Sequence, residues 1–146
     1  MPEAIIFTGL QGSGKTTYFE KHFSSTHAHV SRDVQGTPEG ESVLIRECIK
    51  SGRSFVVDNT NGTRMARAPY VRQAKAAGYS VKAYFFDTAV RTAIGRNNHR
   101  QDKKPIPVPA ILRAAKTLQP PAVEEGFEEV RTIKIEPEPR LISEKN

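Results

Sequence analysis

The chain of 146 residues contains one cysteine, Cys48, so an internal disulfide is excluded and a reducing, cytoplasmic setting is expected. Cys48 falls in the apolar helical stretch Val43–Ile49 and reads as a buried thiol rather than a nucleophile. No stretch approaches the roughly 20 apolar residues of a membrane-spanning helix, so no membrane partner is expected. The apolar start is too short for a signal peptide and is used up by a first strand. Four histidines and the cysteine have no metal-ligand spacing. Aromatics are sparse outside core-like stretches, leaving Tyr70, Tyr79 and Phe127, so no platform for stacking bases is evident. Internal repeats are absent.

What is present is positive charge in one place. The formal charge is +6. Residues 91–116 hold seven basic residues (Arg91, Arg96, Arg100, Lys103, Lys104, Arg113, Lys116) against the single acid Asp102, and so carry the whole +6. The rest of the chain is balanced. A lopsided cluster of this kind reads as a phosphate-handling surface, against the plainer possibility of a solvated basic face.

The ligand class is named by Gly9-Leu10-Gln11-Gly12-Ser13-Gly14-Lys15-Thr16, which fits G-x-x-x-x-G-K-[ST] at every position. In such a loop glycines let backbone N–H groups close around phosphate oxygens. Lys15 supplies a point charge to the β and γ phosphates of ATP, and the Thr16 hydroxyl suits Mg²⁺. The apolar run Ala4–Phe7 before the loop reads as a buried strand, and Thr16–Phe23 after it as a helix whose dipole adds to the anion site. A dinucleotide fingerprint fails, because position 17 is Thr17 where it needs glycine.

Strand and helix patterns then alternate. Strands are expected at 27–30, 54–58, 81–87 and 129–135, and helices at 42–51, 63–77, 88–100 and from Pro109 onward. Residues 34–41, with two glycines and a proline, read as a loop. The alternation predicts an α/β P-loop NTPase/kinase fold: a five-stranded parallel sheet with helices on both faces and a helical lid near 88–116. Residues 1–135 form one domain in this reading, and 136–146 a frayed tail.

Ligands of such sheets bind beyond the carboxyl ends of the strands. That selects the glycine loop, Arg32 and Asp33 after the second strand, and Asp58-Asn59-Thr60-Asn61 after the third. Phosphoryl transfer needs a cradle, an activated acceptor, and cations that follow the developing charge. Two strand-end carboxylates, Asp33 and Asp58, are candidates for the acceptor's base and for holding a Mg²⁺-bound water, and at this level they could exchange roles. The plainer alternatives are a helix cap for Asp33 and an Asx turn with Thr60 or Asn61 for Asp58. Arg96 and Arg100, spaced i, i+4, share a helix face and could close over a triphosphate.

Together the series Gly9–Thr17, His29-Val30-Ser31-Arg32-Asp33, Val57–Asn61, Arg96-Asn97-Asn98-His99-Arg100 and Pro121–Phe127 resembles the kinase module of 5′-hydroxyl polynucleotide kinases, especially that of the bifunctional kinase–phosphatase repair enzymes. The resemblance implies an ATP- and Mg²⁺-dependent transfer to a 5′-OH end of DNA or RNA. Asp33 would be the general base, and Lys15, Arg96 and Arg100 would act on the donor phosphates. Gly9, Gly12, Ser13, Gly14, Lys15, Thr16 and Thr17 would hold the nucleotide, and Thr16 and Asp58 the metal. Arg32, Asp33, Asp58, Asn59, Thr60 and Asn61 would line the acceptor side, and Pro120–Phe127 would pass near the nucleotide base. Position 36 is Gly36 where phage-type members have an acceptor-binding arginine. No D-x-D-x-T run is present, so this chain would be kinase only, and a separate phosphatase or ligase is a candidate partner. The alternatives are a kinase of a small-molecule hydroxyl and a non-catalytic nucleotide-binding subunit.

Overall fold

A computed structural model describes residues 2–98 and 106–135. In chain order the elements are β1 (Glu3–Gly9), α1 (Lys15–His22), β2 (Ala28–Val30), α2 (Arg32–Gln35), α3 (Pro38–Ser51), β3 (Phe55–Asp58), α4 (Arg64–Ala76), β4 (Ser80–Phe86), α5 (Val90–Asn98), α6 (Val108–Thr117), a short 3-10 turn (Val123–Glu125) and β5 (Glu129–Ile133). The five strands form one parallel sheet in the order β2-β3-β1-β4-β5. Phe7 pairs with Asp58 and Gly9 with Phe86, so the ends of β1, β3 and β4 lie side by side.

The near-continuous apolar strands are what a sheet covered on both faces requires. Alternation along β1 divides its side chains. Ala4 and Ile6 join Ile45 and Cys48 of α3 and Val71 and Ala74 of α4 in one cluster. Ile5 and Phe7 join Phe19 of α1, Tyr84 and Phe86 in the other. Helices therefore cover both faces, α3 and α4 on one and α1 on the other. The cysteine is a buried core thiol, pushed up in pKa by that burial.

One expectation fails. Residues 34–41 are not a loop: they hold the end of the one-turn helix α2 and the start of α3. The glycine–proline composition acts here as capping chemistry rather than as a break. Gly36 takes a positive φ and ends α2, the Thr37 hydroxyl accepts from the Gly40 N–H, and Pro38 occupies the first turn of α3, where its missing N–H costs nothing.

The largest fully buried side chain is a charged one, Arg67 of α4. Its Nε and Nη2 donate to the two carboxylate oxygens of Glu125, each at 2.8 Å, and its Nη1 donates to the Asn61 carbonyl at 2.9 Å. Glu125 Oε2 also accepts from the Ala122 N–H at 3.0 Å. Burial alone would push the Glu125 carboxyl up, but the Arg67 fork and the Ala122 N–H outweigh it and hold it below its ordinary value. Asn97 closes another junction, with Nδ2 donating to the Ile106 carbonyl and Oδ1 accepting from the Ile106 N–H. It thereby pins α5 to the start of the α6 segment.

Removing one partner of a buried ion pair strands the other. Glu125→Gln is expected to lower unfolding free energy by about 3 kcal/mol or more in denaturant titration. A carboxyl held low contributes stability above its ordinary value of 4.5 and loses it as pH falls through the window beneath. Acid melting curves of the native chain should therefore steepen below that pH, and Glu125→Gln should flatten this part of the dependence.

Candidate active site

A cleft of about 820 Å³ opens at the carboxyl ends of the strands, lined by residues of the glycine loop and α1, by Arg32 and Asp33, by Asp58–Asn61, by Ala66 and Tyr70 of α4, and by Arg96 of α5. It brings together nearly all the residues singled out from sequence. Gly9 and Ser13 lie behind the loop rather than on the cleft wall. Arg100 lies outside the described residues.

On one side the loop turns into α1 at Lys15. Gly14, with φ of 92°, caps this helix without any side-chain bond, so no capping side chain stands at the α1 N-terminus, the end of a helix that favours an anion. The Lys15 ammonium donates to the carbonyls of Gly9 (2.8 Å) and Leu10 (2.9 Å) across the loop. Two glycines have a role that the motif alone did not suggest. A Cβ on Gly12 would come within 2.1 Å of the Ala93 carbonyl, and one on Gly14 within 2.5 Å of Ile135 Cδ1 and 3.5 Å of Arg96 Nη1. Their bareness lets α5 and β5's end close down on the loop and sets the Arg96 guanidinium over Gly14. Arg96 Nη2 donates to the Ile135 carbonyl at 3.4 Å, while its buried Nη1 has no partner among the described residues, and neither has the buried Ser13 hydroxyl.

On the floor, Asp58 is almost wholly buried. Its Oδ2 accepts from the Thr16 hydroxyl at 2.8 Å and from His29 Nε2 at 2.8 Å. A carboxylate only accepts, so Nε2 carries the proton. The His29 ring stacks on Phe19 at 4.0 Å between centroids, which fixes its orientation. Asp58 therefore does not spend this oxygen on an Asx turn. Thr16 and Asp58 form an oxygen pair suited to a hard cation that keeps waters and phosphate oxygens as its other ligands. Among the described residues no group of three or more His, Cys, Asp or Glu could hold a metal by itself.

On the other side, Asp33 sits in α2, whose cap is Ser31: the Ser31 hydroxyl accepts from the Asp33 N–H at 3.2 Å. The cap role considered for Asp33 thus belongs to its neighbour. Asn59 Oδ1 accepts from the Arg32 N–H at 2.9 Å. Arg32 donates through Nε (3.0 Å) and Nη2 (2.8 Å) to Glu41 Oε1, and Asn59 Nδ2 donates to Glu41 Oε2 at 2.7 Å. The Glu41 bond holds the Arg32 guanidinium above its ordinary pKa. Burial, with the Glu41 carboxylate nearby, pushes the Tyr70 phenol up.

Asn61, by contrast, is spent inside. It takes a left-handed φ of 45°, its Nδ2 donates to the Phe7 carbonyl at 2.8 Å, and its own carbonyl accepts from Thr8 and Arg67. Thr60 instead faces Gln11, whose Nε2 donates to its hydroxyl at 3.4 Å, and its carbonyl accepts from the Gly9 N–H. Of the Pro120–Phe127 segment, Glu125 is committed to Arg67 and Phe127 to the core, and none of its residues lines the cleft. Sequence reasoning missed Glu41, His29 and Glu20. Glu41 was hidden in the stretch read as a loop. His29 stood inside the matched His-Val-Ser-Arg-Asp run, and that was the signal available.

A family model described as an AAA domain matches residues 31–121, more than half of the chain. A protein of Acanthamoeba polyphaga mimivirus named as a bifunctional polynucleotide phosphatase/kinase is 28% identical over 138 residues, covering 90% of this chain and 33% of its own length. The bifunctional polynucleotide phosphatase/kinase of Schizosaccharomyces pombe is 26% identical over 135 residues, with the same two coverages. The chain thus spans about a third of the length of the curated relatives it matches. Among solved structures, an unliganded sugar kinase from Janibacter sp. HTCC2649 superposes with a TM-score of 0.69 at 17% identity, covering 99% of this chain and 92% of that one, a likeness of fold. The glycine loop, the all-parallel sheet and the family match lead to one conclusion: the chain belongs to the AAA-domain family and is built as a P-loop kinase domain.

Proposed function

We propose that the chain transfers the γ-phosphoryl group of ATP to a 5′-hydroxyl end of DNA or RNA. The observation that carries this reading is the convergence of an anion cradle (Lys15, the α1 N-terminus, Arg96) and an acceptor side (Arg32, Asp33, Asn59) on the two walls of one cleft. The matched polynucleotide phosphatase/kinases of mimivirus and fission yeast support the acceptor class.

In this reading Lys15 exchanges its loop carbonyls for the β and γ phosphates, and Arg96 Nη1 supplies the donor aimed over Gly14. Gly9, Gly12, Ser13 and Gly14 shape the cradle, and Thr16 and Thr17 lie in its helix. Arg100, outside the described residues, would act with Arg96 on the donor phosphates, in the basic 88–116 region read as a lid. Thr16 and Asp58 would hold Mg²⁺, which neutralises phosphate charge when bound. Asp33 takes the proton as the acceptor oxygen bonds to the γ-phosphorus and the bond to the β-phosphate bridging oxygen breaks, leaving ADP. Arg32, Asn59 and Thr60 contact the acceptor, and Asn61 shapes the floor beneath them. A phosphatase or ligase activity would complete an end-repair sequence.

A second reading is favoured by the charge of the acceptor wall. Arg32 is paired with Glu41, Asp33 and Asp58 line the same cleft, and position 36 is Gly36 rather than a second arginine. Such a wall also suits a small neutral hydroxyl compound.

Labelled γ-phosphate transfer separates the two. DNA or RNA 5′-OH oligonucleotides should become labelled, with acceptor affinity falling by about 0.7 log units per log unit of salt for each phosphate contacted. Labelling of a small polyol or nucleoside alone, insensitive to salt, would overturn the polynucleotide reading. Asp33→Ala should lower kcat by about 10²–10⁴ with ATP affinity kept, as loss of a positioned base does. Lys15→Ala should weaken nucleotide binding and turnover together; retention of either at the native level would remove Lys15 from the donor site.

A further inference from the structure

We infer that Glu41 is the positioning residue of the acceptor wall, holding both Arg32 and the turn that carries Asp33. The inference rests on the proposed division of the cleft into donor and acceptor sides, and it assigns a role to a residue one helix away from the chemistry.

The argument begins with α2. A helix of four residues has no stability of its own, so the direction of Asp33 is set by whatever fastens that turn. Four ties are visible. The Ser31 hydroxyl caps Asp33 N–H. Gln35 folds back, accepting from the Ser31 N–H at 2.7 Å and donating to the His29 carbonyl at 3.1 Å. Asn59 accepts from the Arg32 N–H, and Glu41 accepts from the Arg32 side chain. The first two run back along the chain, to Ser31 and to His29 of β2. The last two fasten it to β3's end and α3, and both lead to Glu41, because Asn59 is itself oriented by its donation to Glu41 Oε2; Tyr70 of α4 also hydrogen-bonds with Arg32 and Asn59.

Glu41 suits this task. Its side chain is 2% exposed, whereas that of Arg32 is 50% exposed and reaches the cleft. The buried carboxylate is the fixed post, and the arginine is the part it steers. Its two oxygens meet donors only, an amide NH₂ and a guanidinium. A glutamine presents one oxygen and one NH₂, so it can satisfy one side and must oppose the other. Glu41→Gln is therefore nearly isosteric yet breaks the bridge, which separates positioning from simple packing.

The test uses the whole chain. Glu41→Gln is expected to raise KM for a 5′-OH oligonucleotide by about tenfold or more, the loss typical of a charge-assisted bond, with ATP affinity within about twofold of native. Because Glu41 acts on the turn through both Arg32 and Asn59, the double variant should lose less in acceptor KM than the product of the two single losses while exceeding Arg32→Gln alone. Glu41→Asp should recover part of the loss. Amide hydrogen exchange gives a readout independent of the acceptor: residues 32–36 should exchange faster in Glu41→Gln, with residues 12–17 unchanged. Unchanged exchange at 32–36, additive single variants, or equal loss of nucleotide and acceptor binding would each overturn the inference. If native protein labels no oligonucleotide while exchange at 32–36 still responds to Glu41→Gln, the polynucleotide reading fails and the positioning role stands.

Discussion

A guanidinium sealed from solvent beneath the cleft sets the terms for everything around it. Arg67 must find hydrogen-bond acceptors for its donors inside the protein, since an uncompensated buried charge costs several kcal/mol. It finds them on two separate stretches of chain: the Glu125 carboxylate and the Asn61 carbonyl. Asn61 can offer that carbonyl because it adopts a left-handed φ, stabilised by its own amide on the Phe7 carbonyl. The same peptide oxygen accepts from Thr8. One side chain thus joins α4, the ends of β1 and β3, and the turn that leads into β5.

The consequence reaches the cleft through the short segment Asp58–Asn61. With Asn61 locked, Thr60 and Asn59 face outward and Asp58 faces the loop helix. Asp58 then meets Thr16 on one side and His29 on the other, so the carboxylate is oriented before any ligand arrives. A site with fixed dipoles needs little reorganisation at the moment of reaction. The acceptor wall follows the same logic: the buried carboxylate of Glu41 directs Arg32 and Asn59, as the buried Arg67 directs the floor.

The donor wall is governed by close approach. Gly12 and Gly14 are needed for their positive φ and because Ala93, Ile135 and Arg96 occupy the space a side chain would fill. The loop is therefore shaped by the elements that close over it as much as by its own motif. This is how Arg96, eighty residues downstream of the loop, comes to lie above it.

Much of this was legible in the residues. The strand-loop-helix order, the parallel sheet and the residues at the strand ends follow from local apolar patterns and from a motif whose spacing is dictated by phosphate geometry. Local capping was misread where glycine and proline stood close together, because the same residues end one helix and begin the next. The sequence by itself determined the elements, their order and the anion cradle, since these depend on neighbours within a few residues. Only the tertiary structure decided the partners of the charged groups: Arg67 with Glu125, Arg32 with Glu41, and the Asp58 carboxylate with the His29 ring N–H. The physical reason is burial. A charge left in water has no required partner, but one carried inside must be matched, and the partner is whichever group the fold brings to it.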